Sequence, residues 1–319
     1  MRTAYSVGPK SIAVASLLLL AGTGHAWAAK RLKPFVLAYT QNGGTLSKTV
    51  ASVEKKLKAN GFTIVGSYKP YTNAKFGGGE TVSADIIGVT NSALQQAAAA
   101  TKFGGYAIVQ RVTVTKVTTA GSTQIQVAYT NPPYMANAYR LKSNLTSVAS
   151  ALGTALGDQE AYGSKRGLTV SELRHYHYKF LMPYFTDAHV LHRYGSYQQA
   201  VSAVEAGLAA HKGGTSKVWE VPVPGEQETL FGVALAGPSN NRCSGDRHIM
   251  SRIDFKMPKS TGHLPYDMLV RGKKVYALGA KFRIAINFPD LSMMGSNSFL
   301  SIMCAPGAIE KALKAAARG

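Results

Sequence analysis

The chain has 319 residues, with 36 Lys and Arg against 16 Asp and Glu and a net charge of +20 at neutral pH. Only 16% of its residues are charged, against about 25% in ordinary soluble domains, so its basic character comes from missing carboxylates. The basic clusters, Lys48 to Lys58 on one helix, Arg271 to Lys274 in a turn and the last helix, are scattered, which argues against nucleic acid as a partner; few carboxylates suit an acidic medium, because carboxylates that must protonate drive acid unfolding.

Residues 1–28 read as a signal peptide. Arg2 and Lys10 give a basic start, SIAVASLLLLAG (11–22) is a short apolar run, and Ala26 and Ala28 are small residues where a signal peptidase cuts. The run is shorter than the about 20 residues a membrane span needs, and no cysteine follows it for a lipid anchor. The mature chain is expected to begin near Ala29, soluble, periplasmic or secreted, and free of transmembrane segments. Cysteine usage agrees with export. Cys243 and Cys304 are the only two, and such a pair in an oxidising compartment is expected to form a disulfide, stabilising the fold by roughly 4 kcal/mol on loop-closure grounds.

A first module is expected over 29–157. FVLAY (35–39) reads as a strand, and TLSKTVASVEKKL (45–57) as a helix with Leu46, Val50, Val53 and Leu57 on one face and Thr45 as N-cap. DIIGVTN (85–91) reads as a buried strand whose glycine is closely approached by another backbone. SALQQAAAAT (92–101) is helical. An alternating hairpin follows from Tyr106 to Asn131-Pro132-Pro133, then the helix 141–156.

The same succession returns in a second module over 188–319. HVLHRY (189–194) opens it, and SYQQAVSAVEAGL (196–208) repeats the first helix at a constant offset, with Tyr197, Val201, Val204 and Leu208 on its face and a Ser196/Gln199 capping box. TLFGVAL (229–235) parallels DIIGVTN. The stretch from Tyr266 to Asn287-Phe288-Pro289 parallels the hairpin, and PGAIEKALKAAA (306–317) is the closing helix.

The order strand, helix, four strands, helix, the stretch TVASVEKKLKANGFTIVG (49–66) and the Asn-x-Pro ending resemble the bacterial domain-of-unknown-function family 302. The resemblance covers 35–157 and 188–317 and implies an α+β fold of two tandem TBP-like modules, antiparallel sheets covered by helices. It implies export and carries no activity or functional residues. Paired copies leave a groove between modules where a ligand would bind. The reading is a non-enzymatic binding protein of the cell envelope, its partner a small molecule or a protein.

Between the modules, 158–187 is too hydrophobic for a flexible linker and is expected to be a largely helical bridge. It carries RHYHYKF (174–180). As a strand, this would aim His175 and His177 the same way; as a helix they lie about 200° apart and cannot share an ion. A Thr169/Glu172 capping box and a Leu168/Leu173 staple favour the helix. The alternative to a ligand site is copper handling by His175, His177, His189 and His192. Tyr176, His177, Tyr184 and Tyr194 are the candidate ligand-binding residues, and no catalytic set is assigned. Cys243, His248 and Met250 are spaced too tightly for blue copper, and Met293, Met294 and Met303 read as packing residues. There is no Gly-x-Ser-x-Gly elbow, phosphate loop or Cys-x-x-Cys pair.

Overall fold

The computed structural model describes residues 1, 3–4, 30–177, 183–238 and 242–319. Most of the expected signal peptide, together with Tyr178 and Phe180, lies outside the described residues. In chain order the elements are β1 (Phe35–Asn42), α1 (Leu46–Ala59), β2 (Thr63–Lys75), β3 (Thr81–Thr90), α2 (Ser92–Ala99), β4 (Gln110–Thr119), β5 (Ser122–Thr130), α3 (Pro132–Ala138) and α4 (Thr146–Leu156). A connection holds β6 (Glu160–Tyr162) and α5 (Val170–Arg174). Then come β7 (His189–Arg193), α6 (Tyr197–Ala209), β8 (Thr215–Pro222), β9 (Glu228–Leu235), α7 (Asp246–Ile253), β10 (Tyr266–Arg271), β11 (Lys274–Ala277), α8 (Ala280–Asn287) and α9 (Ala305–Ala316).

The fold is α+β with two antiparallel sheets, ordered β2-β3-β4-β5-β1-β6 and β7-β11-β10-β9-β8. Read from the β2 and β8 edges, the strands follow the same order in both, and the helices fall at the same places between them. Among the described residues no helix is long and apolar enough to cross a membrane.

Local sequence explains the shared elements. In α1, Val53 and Leu57 are buried, and Lys56 and Lys58 sit in the last turn, where they complement the helix dipole. Asn60-Gly61-Phe62 closes it as a Schellman motif: Phe62 N–H donates to Leu57 O and Gly61 N–H to Lys58 O, with Gly61 at φ 79°. The second half has no NGF, yet His211 takes the left-handed position after α6 at φ 51°. Thr45 caps α1 by position without a side-chain hydrogen bond. Ser196 accepts from Gln199 N–H, but the Gln199 side chain reaches Gly195 rather than closing the expected box.

Alternation along the strands gives each sheet two buried faces. Ile87, Val89, Val112, Val114, Ile125 and Val127 share a cluster with Val53, Leu57, Leu94 and Leu152 of the first half's helices. Val82, Ala84, Ile86 and Val117 point the other way, toward the second half. Phe231, Val233, Met268 and Val270 meet α6 and α9 through Val204, Leu208, Ile309 and Leu313, while Leu230 and Leu269 join the first half's cluster.

The layer between the sheets also buries polar groups, among them Arg111, Thr113, Thr115, Gln126, Glu228 and Asp267. The registers align its centre. Gly88 pairs with Gly66 on one side and Arg111 on the other; Gly232 pairs likewise with Trp219 and Asp267. Arg111 and Asp267 therefore hold equivalent positions, and they bond to each other, Nη2 to Oδ2, at 2.6 Å. Arg283 of α8 donates to the same Oδ2. The Trp219 ring lies over both central glycines: a Cβ on Gly88 would stand 2.6 Å from it, and one on Gly232 would overlap it. The predicted close approach is thus made by an indole, not by backbone.

Four expectations need correction. The stretch KFRIAIN is α8, not the second strand of a hairpin, and β11 is only Lys274–Ala277. Phe282, Arg283, Ile284, Ala285, Ile286 and Asn287 are all buried, and a helix buried all round shows no amphipathic period to tell it from a strand. Asn287 therefore ends a helix, whereas Asn131 is the N-cap of α3. The bridge 158–187 holds, among the described residues, one strand pairing with β1 and one five-residue helix, instead of helix along its length. Finally, Met293, Met294 and Met303 are 37%, 76% and 65% exposed, so they are not packing residues.

Candidate functional site

The capping box opens α5 as expected: Thr169 Oγ1 accepts from Glu172 N–H, and Glu172 Oε2 from Thr169 N–H. The helix then stops at Arg174, with His175 as C-cap. Arg174 to His177 are not the middle of a helix. Tyr176 is turned inward, its hydroxyl donating to Ala285 O at 3.0 Å and its ring meeting Phe282. Arg174 donates to Leu141 O. These contacts outweigh helix continuation.

The candidate residues separate. His175 is exposed, with Nδ1 3.1 Å from Ser171 O. His177 stacks on Tyr184 with ring centroids 4.3 Å apart and planes at 10°. Both line an open cleft of about 850 Å³ that His189 and Glu310 also enter, and His189 Nδ1 lies 3.1 Å from Glu310 Oε2. His192 packs edge-on against Tyr194, whose hydroxyl donates to Ala317 O. The structure therefore brings together His177, Tyr184 and His189, and leaves Tyr176, Tyr194, His175 and His192 elsewhere. Among the described residues no three His, Cys, Asp or Glu converge to hold a metal ion. Cys243 and Cys304 form a disulfide with Cα atoms 5.7 Å apart, which removes the thiolate that a copper loop at Cys243 would use.

A second cleft, of about 270 Å³, lies between the two halves. One wall is Lys33, β6 and Gly163 to Lys165; the other is the segment after α7, from Ile253 to Ser260, with Phe288 and Leu291 beyond α8. Its second wall is tied to the first half at several points. Lys259 N–H donates to Gln126 Oε1 at 2.9 Å, Tyr162 Oη donates to Lys259 O at 2.7 Å, and the buried Lys259 ammonium meets Glu80 Oε2 at 2.5 Å. Glu80 belongs to the GGGE turn, which is thereby latched to the second half.

Asp254 forms part of the lining. Oδ1 accepts from Ser260 N–H at 2.8 Å, while Oδ2 is buried with no hydrogen-bond partner. Burial pushes its pKa up to about 7, the Lys259 ammonium pulling down and Glu80 pushing up. A carboxyl so placed donates a hydrogen bond when protonated and accepts when ionised. Around it, Phe255 and Met257 present apolar surface at 36% and 47% exposure. Sequence reasoning missed Asp254, Lys259 and Glu80. The available signal was scarcity: in a chain with 16 acids, Asp246 and Asp254 bracket a short helix whose Ile249, Met250 and Ile253 are buried. Comparisons of the chain with known protein families, with curated proteins and with solved structures find no match.

Proposed function

We propose that this chain is an exported, non-catalytic protein of two tandem TBP-like modules that binds a small organic molecule in the cleft between them. The observation that carries the reading is the buried Asp254 carboxyl with an unpartnered oxygen, in the lining of a cleft where apolar side chains stand among charged ones. Export is supported by the apolar leader pattern and the Cys243–Cys304 disulfide. The tandem reading, and with it the resemblance to the domain-of-unknown-function family 302, is supported by the common strand order of the two sheets. Copper handling has less support, since only His177 and His189 of its four histidines share a cleft.

Native mass spectrometry of the oxidised mature protein, purified without denaturation, tests the proposal. An organic adduct is expected, and Ala161→Trp, which fills the cleft from an exposed position on β6, should abolish it. Retention of the adduct in that variant, or a chain that carries none and gains no thermal stability from any small-molecule library member, would overturn the reading.

A further inference from the structure

We infer that the inter-half cleft selects amphipathic organic anions: an apolar body lying on Phe255, Met257, Phe288 and Leu291, with its acid group held by Lys33, Lys165 and Lys256. The inference rests on the binding role proposed above and adds the chemical class of the ligand.

The argument begins with unspent charge. The three lysines come from separate segments, before β1, after β6 and after α7, yet all line one cleft. Among the described residues none has a carboxylate partner, although Lys217, Lys259 and Lys314 do. Lys256 instead lies over the ring of its neighbour Phe255, 5.7 Å from its centroid. In a protein with so many bases, exposed unpaired lysines are ordinary; three around one apolar concavity are not evenly spread. An ammonium beside low-dielectric walls attracts an anion more strongly than one on an open surface.

The acids of the cleft, Glu160, Asp254 and Asp290, offset this charge only in part. Asp290 is engaged, Oδ2 accepting from Lys165 N–H at 2.5 Å and Oδ1 from Ser164 Oγ. Glu160 stands exposed on β6 at the rim. Asp254 is the one acid buried in the lining, and with its pKa raised to about 7 it is only about half ionised at neutral pH. Protonated, it leaves the lining neutral beneath the lysines. The groups facing it are the Lys259 ammonium, the Glu80 carboxylate, and the Tyr71 and Tyr162 hydroxyls, whose pKa values are raised above 10 and which stay neutral.

The apolar part follows from the same residues. Phe255 and Met257 remain exposed in the free chain, while Phe288 and Leu291, which also line the cleft, are buried. A ligand with a flat or branched hydrocarbon body would cover the first pair and take their apolar surface out of water, which favours binding. A purely polar anion such as inorganic phosphate would leave them wet. A neutral hydrocarbon would leave the lysines unused.

The test compares three probes of one shape: 4-phenylbutanoate, 4-phenylbutanamide and 4-phenylbutylamine. Each is titrated into the full mature chain at pH 7 while the methionine methyl resonances are followed by ¹³C NMR, with Met257 assigned through Met257→Leu. The buried Met250 reports that the fold is intact. The butanoate should shift the Met257 methyl and bind at least about ten-fold more tightly than the amide or the amine. Lys165→Glu/Lys256→Glu should erase that advantage with Met250 unmoved. The affinity for the butanoate should also fall as pH rises from 6 to 8, and Asp254→Asn should flatten the fall. If the amide or amine matches the butanoate while shifting Met257, the anion class is wrong and small-molecule binding in the cleft stands. If none of the three shifts Met257, both fall.

Discussion

At the centre of the molecule the two halves present different residues at equivalent positions. Where the first has Arg111 the second has Asp267, and where the first has Gly66 the second has Trp219. Neither half is self-sufficient there. The Trp219 indole needs the bare backbone of both Gly88 and Gly232, and the Arg111 guanidinium needs a carboxylate that only the other half supplies. Identical copies would bring like charge to like charge across this layer. Divergence at matched positions converts a repeat into one complementary unit. The second half also carries devices with no counterpart in the first: Arg283, the disulfide, and the buried acids Asp246 and Asp254.

The comparison breaks hardest at Asp267. Asp267→Ala leaves two buried guanidinium groups uncompensated, and chemical denaturation should show a loss of about 5 kcal/mol. The exchange Arg111→Asp/Asp267→Arg sharpens the point. A symmetric pair would recover fully, but here the new arginine faces Arg283, so less than half of the loss should return. A full recovery would show that Arg283 is incidental.

Trp219→Ala should cost about 4 kcal/mol, because the emptied space is bounded by glycine backbone that cannot fill it. A cost under about 1 kcal/mol would show that the halves can collapse onto each other. Reduction of the disulfide, or Cys243→Ser/Cys304→Ser, should cost up to about 4 kcal/mol by the entropy of the closed loop, in thermal melts of the oxidised and reduced forms.

A pH series tests the two buried acids of the second half. Burial pushes Asp246 to about 7, with Leu235 N–H, the Tyr68 hydroxyl and Arg283 opposing it, and Asp254 likewise to about 7. Below about pH 4 both folded and unfolded chains carry these protons. Between about 4 and 7 only the folded chain keeps them, so their contribution to stability is lost as pH rises and levels off above 7. Asp246→Asn/Asp254→Asn should flatten that slope. A wild-type melting temperature that falls steeply between pH 5 and 3 would contradict both this and the reading of acid depletion as suited to an acidic medium. The smallest effect belongs to the connection: Thr169→Ala should cost about 1 kcal/mol through the lost cap of α5.

Much of the fold was legible locally. The helix faces of α1 and α6, the cap at Thr169, the closing helix α9 and the pairing of two lone cysteines follow from spacing and chemistry within short windows. The helix α8 was not legible, because burial on every side removes the periodicity that distinguishes helix from strand. RHYHYKF was misread for a related reason: the cap upstream correctly starts a helix, but nothing local says that Tyr176 will leave it for Ala285. Of the candidate residues, the structure gathers His177, Tyr184 and His189 at one cleft and sets Tyr176, Tyr194, His175 and His192 apart from it. Aromatic and histidine density marks chemical capability; it does not say which surfaces meet.

By itself the sequence determined the repeated succession of elements, the helix-facing cores and the disulfide partners, since each depends on neighbours within a turn or a strand, or on there being two cysteines. Only the tertiary structure decided what lies between the sheets. Whether Arg111 finds Asp267, whether one tryptophan serves two glycines, and whether Asp254 borders a cleft depend on residues more than a hundred positions apart, or on how two layers stack. Burial turns those juxtapositions into strong interactions: in water the same charges would be screened, and between the sheets they have only each other.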